Sequence, residues 1–112
     1  MNKKTFNRGE IYYIDLSPVK GSEQGGIRPC VIVQNNSGNR YSPTLIVVPL
    51  TTQTKRQLPT HATVREGAKE SIALCEQVKT IDKTRISGNA IGKCSPHTMA
   101  QIDLCLKISL GL

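Results

Sequence analysis

Two short runs, PCVIVQN (29–35) and TLIVVPL (44–50), are apolar at almost every consecutive position. Successive side chains of a strand point to opposite faces, so each run must be covered on both sides. Both have strand length and are rich in Val and Ile, which argues against a buried helix. They are therefore predicted as central strands, and the rest of the chain has to cover them. Pro49 has no N–H for a ladder, so the second run is predicted to reach an edge or bulge there.

The remaining segments fit around this pair. GEIYYIDLSP (9–18) reads as a first strand, closed by a Ser-Pro turn signal. Residues 20–27 form a loop, and NSGNRYSP (36–43), dense in turn formers, a turn. TTQTKRQLPT (51–60) is polar loop, HATV (61–64) a weak fourth strand and REGAKE (65–70) a turn. SIALCEQVKTID (71–82) is predicted as one longer strand, and KTRISGNAIGKC (83–94) as a short helical turn and a last short strand. From Ser95 the period changes. Ser95 is an N-cap and Pro96 the first helical residue, and Gly111 ends the helix. Its stripe of Met99, Ile102, Leu106 and Leu110, widened by Cys105 and Ile108, is predicted to be core packing. The expected fold is mainly β with helices (α+β): a small, strongly curved antiparallel sheet or partly closed barrel carrying a C-terminal helix. Its 112 residues predict a single domain over 1–112.

Charge narrows the partner. Fifteen Lys and Arg against eight Asp and Glu give a net +7, spread along the chain. A distributed positive charge on a small domain points to a polyanion, most often nucleic acid. The four cysteines (30, 75, 94 and 105) form no C-x-x-C pair, and no histidine lies at zinc-ligand spacing from them. Three sit inside apolar runs and read as small hydrophobes, in a reducing cytosol. The N-terminus MNKKTFNRGE lacks the apolar core of a signal peptide, and no stretch has membrane-span length. There is no P-loop, no G-x-S-x-G and no metal-ligand cluster, so no metal or other cofactor is implied.

One cation stands out. Arg28 lies where the glycine-flanked loop GSEQGG meets the rigid PCVIVQN. Its guanidinium stays charged and offers a planar fork of donors suited to phosphate. The bland alternatives are an ion pair with Glu23 or Asp15, or a solvated side chain. Thr51, Asn35, Glu76 and Gln77 also fall at or between strand ends. Lys55 and Arg56, in the loop just after Thr51, are predicted to face the same polyanion and bind its phosphates.

Taken together and in order, RGEIYYIDLSPVKGSEQGGIRPCVIVQN, NRYSPTLIVVPLTT, LPTHATV and CEQVKTIDKTRI resemble the MazF/PemK family of toxin endoribonucleases. The likeness is closer to the MazF toxins of Gram-positive bacteria and runs from about Arg8 to Leu110. It implies a small SH3-like, partly closed antiparallel barrel of the MazF/CcdB type, a homodimer and a cytoplasmic location. It implies an mRNA interferase, the toxin of a type II toxin–antitoxin system, that cuts single-stranded RNA at short sequence motifs without metal. A cognate MazE-like antitoxin would inhibit it by laying an extended segment over the dimer. The family's catalytic Arg, in G-G-x-R-P, falls on Arg28, and its catalytic Thr on Thr51. Its RNA contacts map to Ser22, Glu23, Gln24, Asn35 and Gln77. The 65–70 segment is shorter than the family pattern, which bears on cleavage specificity.

The implied chemistry agrees with the residues. Metal-free cleavage can use the substrate's own 2′-hydroxyl as nucleophile. Arg28 and Thr51 are poor bases near neutral pH, so their roles are electrostatic stabilisation and positioning. Glu23 is a possible base. Histidine is the usual general base, but His61 in a weak strand and His97 at a helix start are poor catalytic positions. The competing reading is a non-catalytic binder, either a gyrase poison of the same barrel type or an RNA-binding barrel.

Overall fold

The computed structural model describes residues 4–53 and 57–112, so Lys55 and Arg56 lie outside the described residues. Seven strands among these residues curl into one antiparallel sheet: β1 (Glu10–Asp15), β2 (Ile27–Ile32), β3 (Thr44–Thr51), β4 (His61–Val64), β5 (Ser71–Leu74), β6 (Lys79–Asp82) and β7 (Gly92–Lys93). The order is β4-β5-β3-β2-β1-β7, with β6 also on β3. The two apolar runs are central, as predicted. β2 lies between β1 and β3, and β3 pairs with β2, β5 and β6. β2 starts two residues earlier than expected, so Arg28 lies inside the strand rather than before it.

Strand alternation divides the apolar side chains between the two faces. Ile11, Val31, Val48 and Leu50 join Ala62, Val64, Ala73, Ile102 and Cys105 in one cluster. Phe6, Tyr12, Ile14, Cys30, Ile32, Leu45, Val47 and Ile81 form the other. Helix α2 (Pro96–Leu110) covers the first.

Three expectations need correction. The turn at 36–43 contains a short helix, α1 (Asn36–Tyr41). The Asn35 side chain accepts from the Gly38 N–H at 2.8 Å, and the buried Asn39 amide donates to the Gln34 carbonyl at 3.0 Å. Turn-forming Asn residues thus serve as a cap and a buried tie.

The long strand 71–82 is broken by a single 3₁₀ turn, Cys75–Gln77. β3 pairs Leu50 with Ala73 but Val47 with Lys79. Three residues on β3 are thus matched by six on the partner. The extra three are the length of the turn, and Pro49, which could offer no N–H, sits in the gap.

The stripe of α2 is only partly core. Ile102 and Cys105 are buried, but Ile108 and Leu110 are exposed. The helix ends as expected: the Ser95 hydroxyl accepts from the Thr98 N–H at 3.2 Å, and Gly111 adopts a left-handed φ of 71°.

Candidate active site

A cleft lined by four of the nine predicted site residues lies where the 20–26 loop faces the Cys75–Gln77 turn. Its volume is about 420 Å³; Ser22, Glu23, Gln24, Glu76, Gln77 and Lys79 line it, with Pro49 beneath. The Gln24 N–H donates to the Gln77 side-chain oxygen at 2.8 Å and ties loop to turn. The Gln24 side-chain oxygen is buried in this cleft with no hydrogen-bond partner among the described residues. An orphan acceptor beside a solvent cleft is ready for a ligand donor.

Arg28 and Thr51 lie one step along the same sheet face. β2 and β3 pair Ile32 with Val47 and Cys30 with Pro49. Beyond the last of these pairs, strand alternation turns Arg28 and Thr51 to the same face as Cys30 and Pro49. The Arg28 Nε donates to the Gly25 carbonyl at 3.0 Å, which holds the guanidinium against the loop. The alternative ion pairs with Glu23 or Asp15 do not form among the described residues. Glu23 instead accepts from the Lys20 N–H of its own loop. The fork of Arg28 is therefore left for another acceptor. Thr51 is 1% exposed, and its hydroxyl accepts from the Gln53 N–H at 3.2 Å. That hydroxyl reaches a bound phosphate only if the Thr52–Gln53 turn shifts.

Asn35 is not brought to this site. It caps α1 beyond the other end of β2 from Arg28. Lys79 was not singled out from the sequence. Strand alternation opposite Val47 turns it to the face of Arg28 and Thr51, yet only the break at 75–77 fixes that phase. Both cations act on the Cys30 thiol beneath them. Burial pushes that thiol up to about 12, and Lys79 and Arg28 offset only part of the effect. Cys75 and Cys94 are also pushed up to about 12, chiefly by burial, so these three are inert packing groups rather than nucleophiles.

His61 is buried, its Nε2 lies 3.1 Å from a Glu76 oxygen, and its Nδ1 accepts from the Leu58 N–H at 3.4 Å. These contacts lock the ring as a structural link. Burial tends to raise the Glu76 pKa, but hydrogen bonds from its own backbone N–H, Thr60 and His61 outweigh it and hold the carboxyl below its usual value. Glu76 thus adds a fixed negative charge at the cleft edge. His97 is exposed at the start of α2. Among the described residues, no three His, Cys, Asp or Glu side chains converge to hold a metal ion, and no helix is long and apolar enough to cross a membrane.

A curled sheet with a terminal helix and a polar cleft at its strand ends has close structural relatives. An endoribonuclease in complex with its cognate antitoxin, from a mycobacterial species, superposes with TM-score 0.80 at 31% identity, over 95% of each chain. A second mycobacterial endoribonuclease gives 0.80 at 29% identity, over 97% of this chain and 94% of that one. MazF from Deinococcus radiodurans shares the fold, with TM-score 0.86 at 20% identity over 98% and 100% of the two chains. These relatives define the class as a small curled-sheet endoribonuclease. A family model described as PemK-like, MazF-like toxin of type II toxin–antitoxin systems matches residues 7–110, and the chain belongs to that family.

Proposed function

We propose that this chain is the toxin of a type II toxin–antitoxin pair, a single domain over residues 1–112 that cuts single-stranded mRNA in the cytoplasm. It does so at a preferred sequence and without metal. The observation that supports the reading is the cleft between the 20–26 loop and the Cys75–Gln77 turn, with strand alternation along β2 and β3 directing Arg28 and Thr51 to the sheet face beside it. In the reaction the 2′-hydroxyl oxygen bonds to the adjacent phosphorus and the bond from phosphorus to the 5′-oxygen breaks. The products are a 2′,3′-cyclic phosphate and a 5′-hydroxyl. Glu23 is placed in the cleft lining to take the 2′-hydroxyl proton, and solvent returns one to the leaving oxygen. Arg28 donates to the phosphate oxygens as their charge grows, and Lys79 adds a second positive charge nearby. Thr51 holds the phosphate once its turn has shifted. Ser22, Gln24 and Gln77 hold the RNA strand beside the cleft, and Lys55 and Arg56 add phosphate contacts.

Two features support the partners. Leu104 and Ile108, one turn apart on α2, form an exposed apolar pair that a second copy can cover, giving a two-fold dimer. The mycobacterial relative is bound to its cognate antitoxin, and the net +7 of this chain suits an acidic MazE-like segment as inhibitor. The experiment is incubation of labelled single-stranded RNA with the protein in EDTA. The expected products carry 5′-hydroxyl and 2′,3′-cyclic phosphate ends. Arg28→Ala should cut at least about 10²-fold more slowly and unfold at the parent's urea midpoint. No cleavage by the parent, or parental rates from Arg28→Ala, would refute the reading.

A further inference from the structure

A second cleft opens on the opposite face of the same strand ends. Its volume is about 200 Å³, and Tyr13, Pro29, Thr52, the Gly67–Lys69 turn and Ser71 line it. Each of its sheet residues neighbours the proposed phosphate site. Pro29 follows Arg28, and Thr52 follows Thr51, with Cα atoms about 3.8 Å apart. Tyr13 is the β1 partner of Pro29 in the ladder. Because strand side chains alternate, Arg28 points to one face and Pro29 to the other. A strand of RNA that crosses these ends with its phosphate at Arg28 can drop an adjacent base over the edge into this cleft.

The walls suit a base. Tyr13 leaves 42% of its surface exposed, unusual for an aromatic ring beside an apolar sheet, so one edge of the cleft is an open stacking platform. Ser71 is 95% buried, yet its hydroxyl has no hydrogen-bond partner among the described residues. A buried polar atom without a partner carries a standing cost unless something else satisfies it. Lys69 supplies a cation on the remaining side. The cleft is smaller than the roughly 300–1,000 Å³ usual for whole small-molecule ligands, so it suits one planar ring rather than a nucleotide.

We propose that this cleft is a nucleobase pocket, in which the Tyr13 ring stacks on one base next to the cut and the Ser71 hydroxyl reads that base's edge. The inference rests on the endoribonuclease reading above and gives it a residue that sets sequence preference. Stacking accepts any base, whereas a hydroxyl fixed in a buried wall accepts only an edge with a matching group. Tyr13 therefore supplies affinity and Ser71 the choice.

The test is cleavage of single-stranded RNA randomised around the cut, with the new ends sequenced, followed by single-turnover rates on the best RNA and its single-base variants. Ser71→Ala should fold at least as stably as the parent, because it removes an unsatisfied group. It should shrink the preference at one position flanking the cut by about tenfold, the size of one hydrogen bond. Tyr13→Ala should slow all bases at that position by roughly tenfold to a hundredfold, and Tyr13→Phe, which keeps the ring, should behave like the parent. If the parent cuts and Ser71→Ala keeps the parent's base ratios, the pocket assignment fails while the nuclease reading stands. If Tyr13→Ala cuts normally but escapes inhibition by an antitoxin peptide, the cleft belongs to a protein partner and the assignment is overturned. If the parent cuts none of the RNAs, both readings fall.

Discussion

Glu66 holds the 65–70 turn against the start of α2, and Glu66→Gln tests how much that grip contributes. One carboxylate oxygen accepts from the Ser95 N–H at 2.9 Å and from the Thr98 hydroxyl at 2.7 Å, while the other accepts from the Arg65 N–H at 3.1 Å. The negative charge also faces the positive end of the α2 dipole. Partial burial tends to raise the carboxyl pKa, but these hydrogen bonds outweigh it and bring it from 4.5 down to about 2. At full strength that fall is equivalent to about 3.4 kcal/mol, at about 1.36 per pH unit. Solvent reaches this group and screens it, so about 1–2 kcal/mol is the working figure. The amide of Gln keeps one acceptor but not the charge. Because the folded pKa is depressed, the contribution is complete above about pH 4.5 and disappears as pH falls toward 2. Urea unfolding of parent and Glu66→Gln at pH 7, 5, 4 and 3 should show a gap of about 1–2 kcal/mol that closes below pH 4.5. A gap that stays constant with pH would refute the reasoning, because the lost contribution would then not be a charge.

Thr51→Val keeps the buried shape and removes the hydroxyl, so the protein should stay folded and bind RNA as before while single-turnover cleavage falls. Equal rates would make Thr51 a strand-end residue only. Lys79→Ala should weaken RNA binding and flatten the log–log salt slope by about 0.7, the share of one phosphate contact on a single strand. Titration of a labelled RNA at several salt concentrations checks this. Gly92 packs against the 65–70 turn so tightly that an added Cβ would run into the Glu66 carbonyl oxygen. Gly92→Ala should therefore cost about 1–3 kcal/mol in urea unfolding and disturb the second cleft, whereas an unchanged midpoint would show that the turn yields freely.

The central strands could be read from the sequence because their requirement is local. A run apolar on both faces has to be covered on both, and PCVIVQN and TLIVVPL are so covered. The ends of α2 were equally legible, since Ser95, Pro96 and Gly111 act on their own backbone. Arg28 could be singled out by its charge at a loop–strand junction, and the toxin family by the order of four segments. Asn35 shows the limit of such reading: a polar residue after a strand served as a helix cap, a role set by α1 packing behind it. What the chain could not reveal is where one strand lies against another. SIALCEQVKTID has the composition of one strand, yet β3 pairs with both its ends and so forces the break at Cys75–Gln77. That break turns Lys79 to the face of Arg28 and Thr51. The exposed half of the α2 stripe, the Glu66 cap and the Ser71 hydroxyl left without a partner have the same origin. Local side-chain chemistry fixes which element forms, but the register between distant segments fixes which side chains meet, and register is a property of the folded sheet.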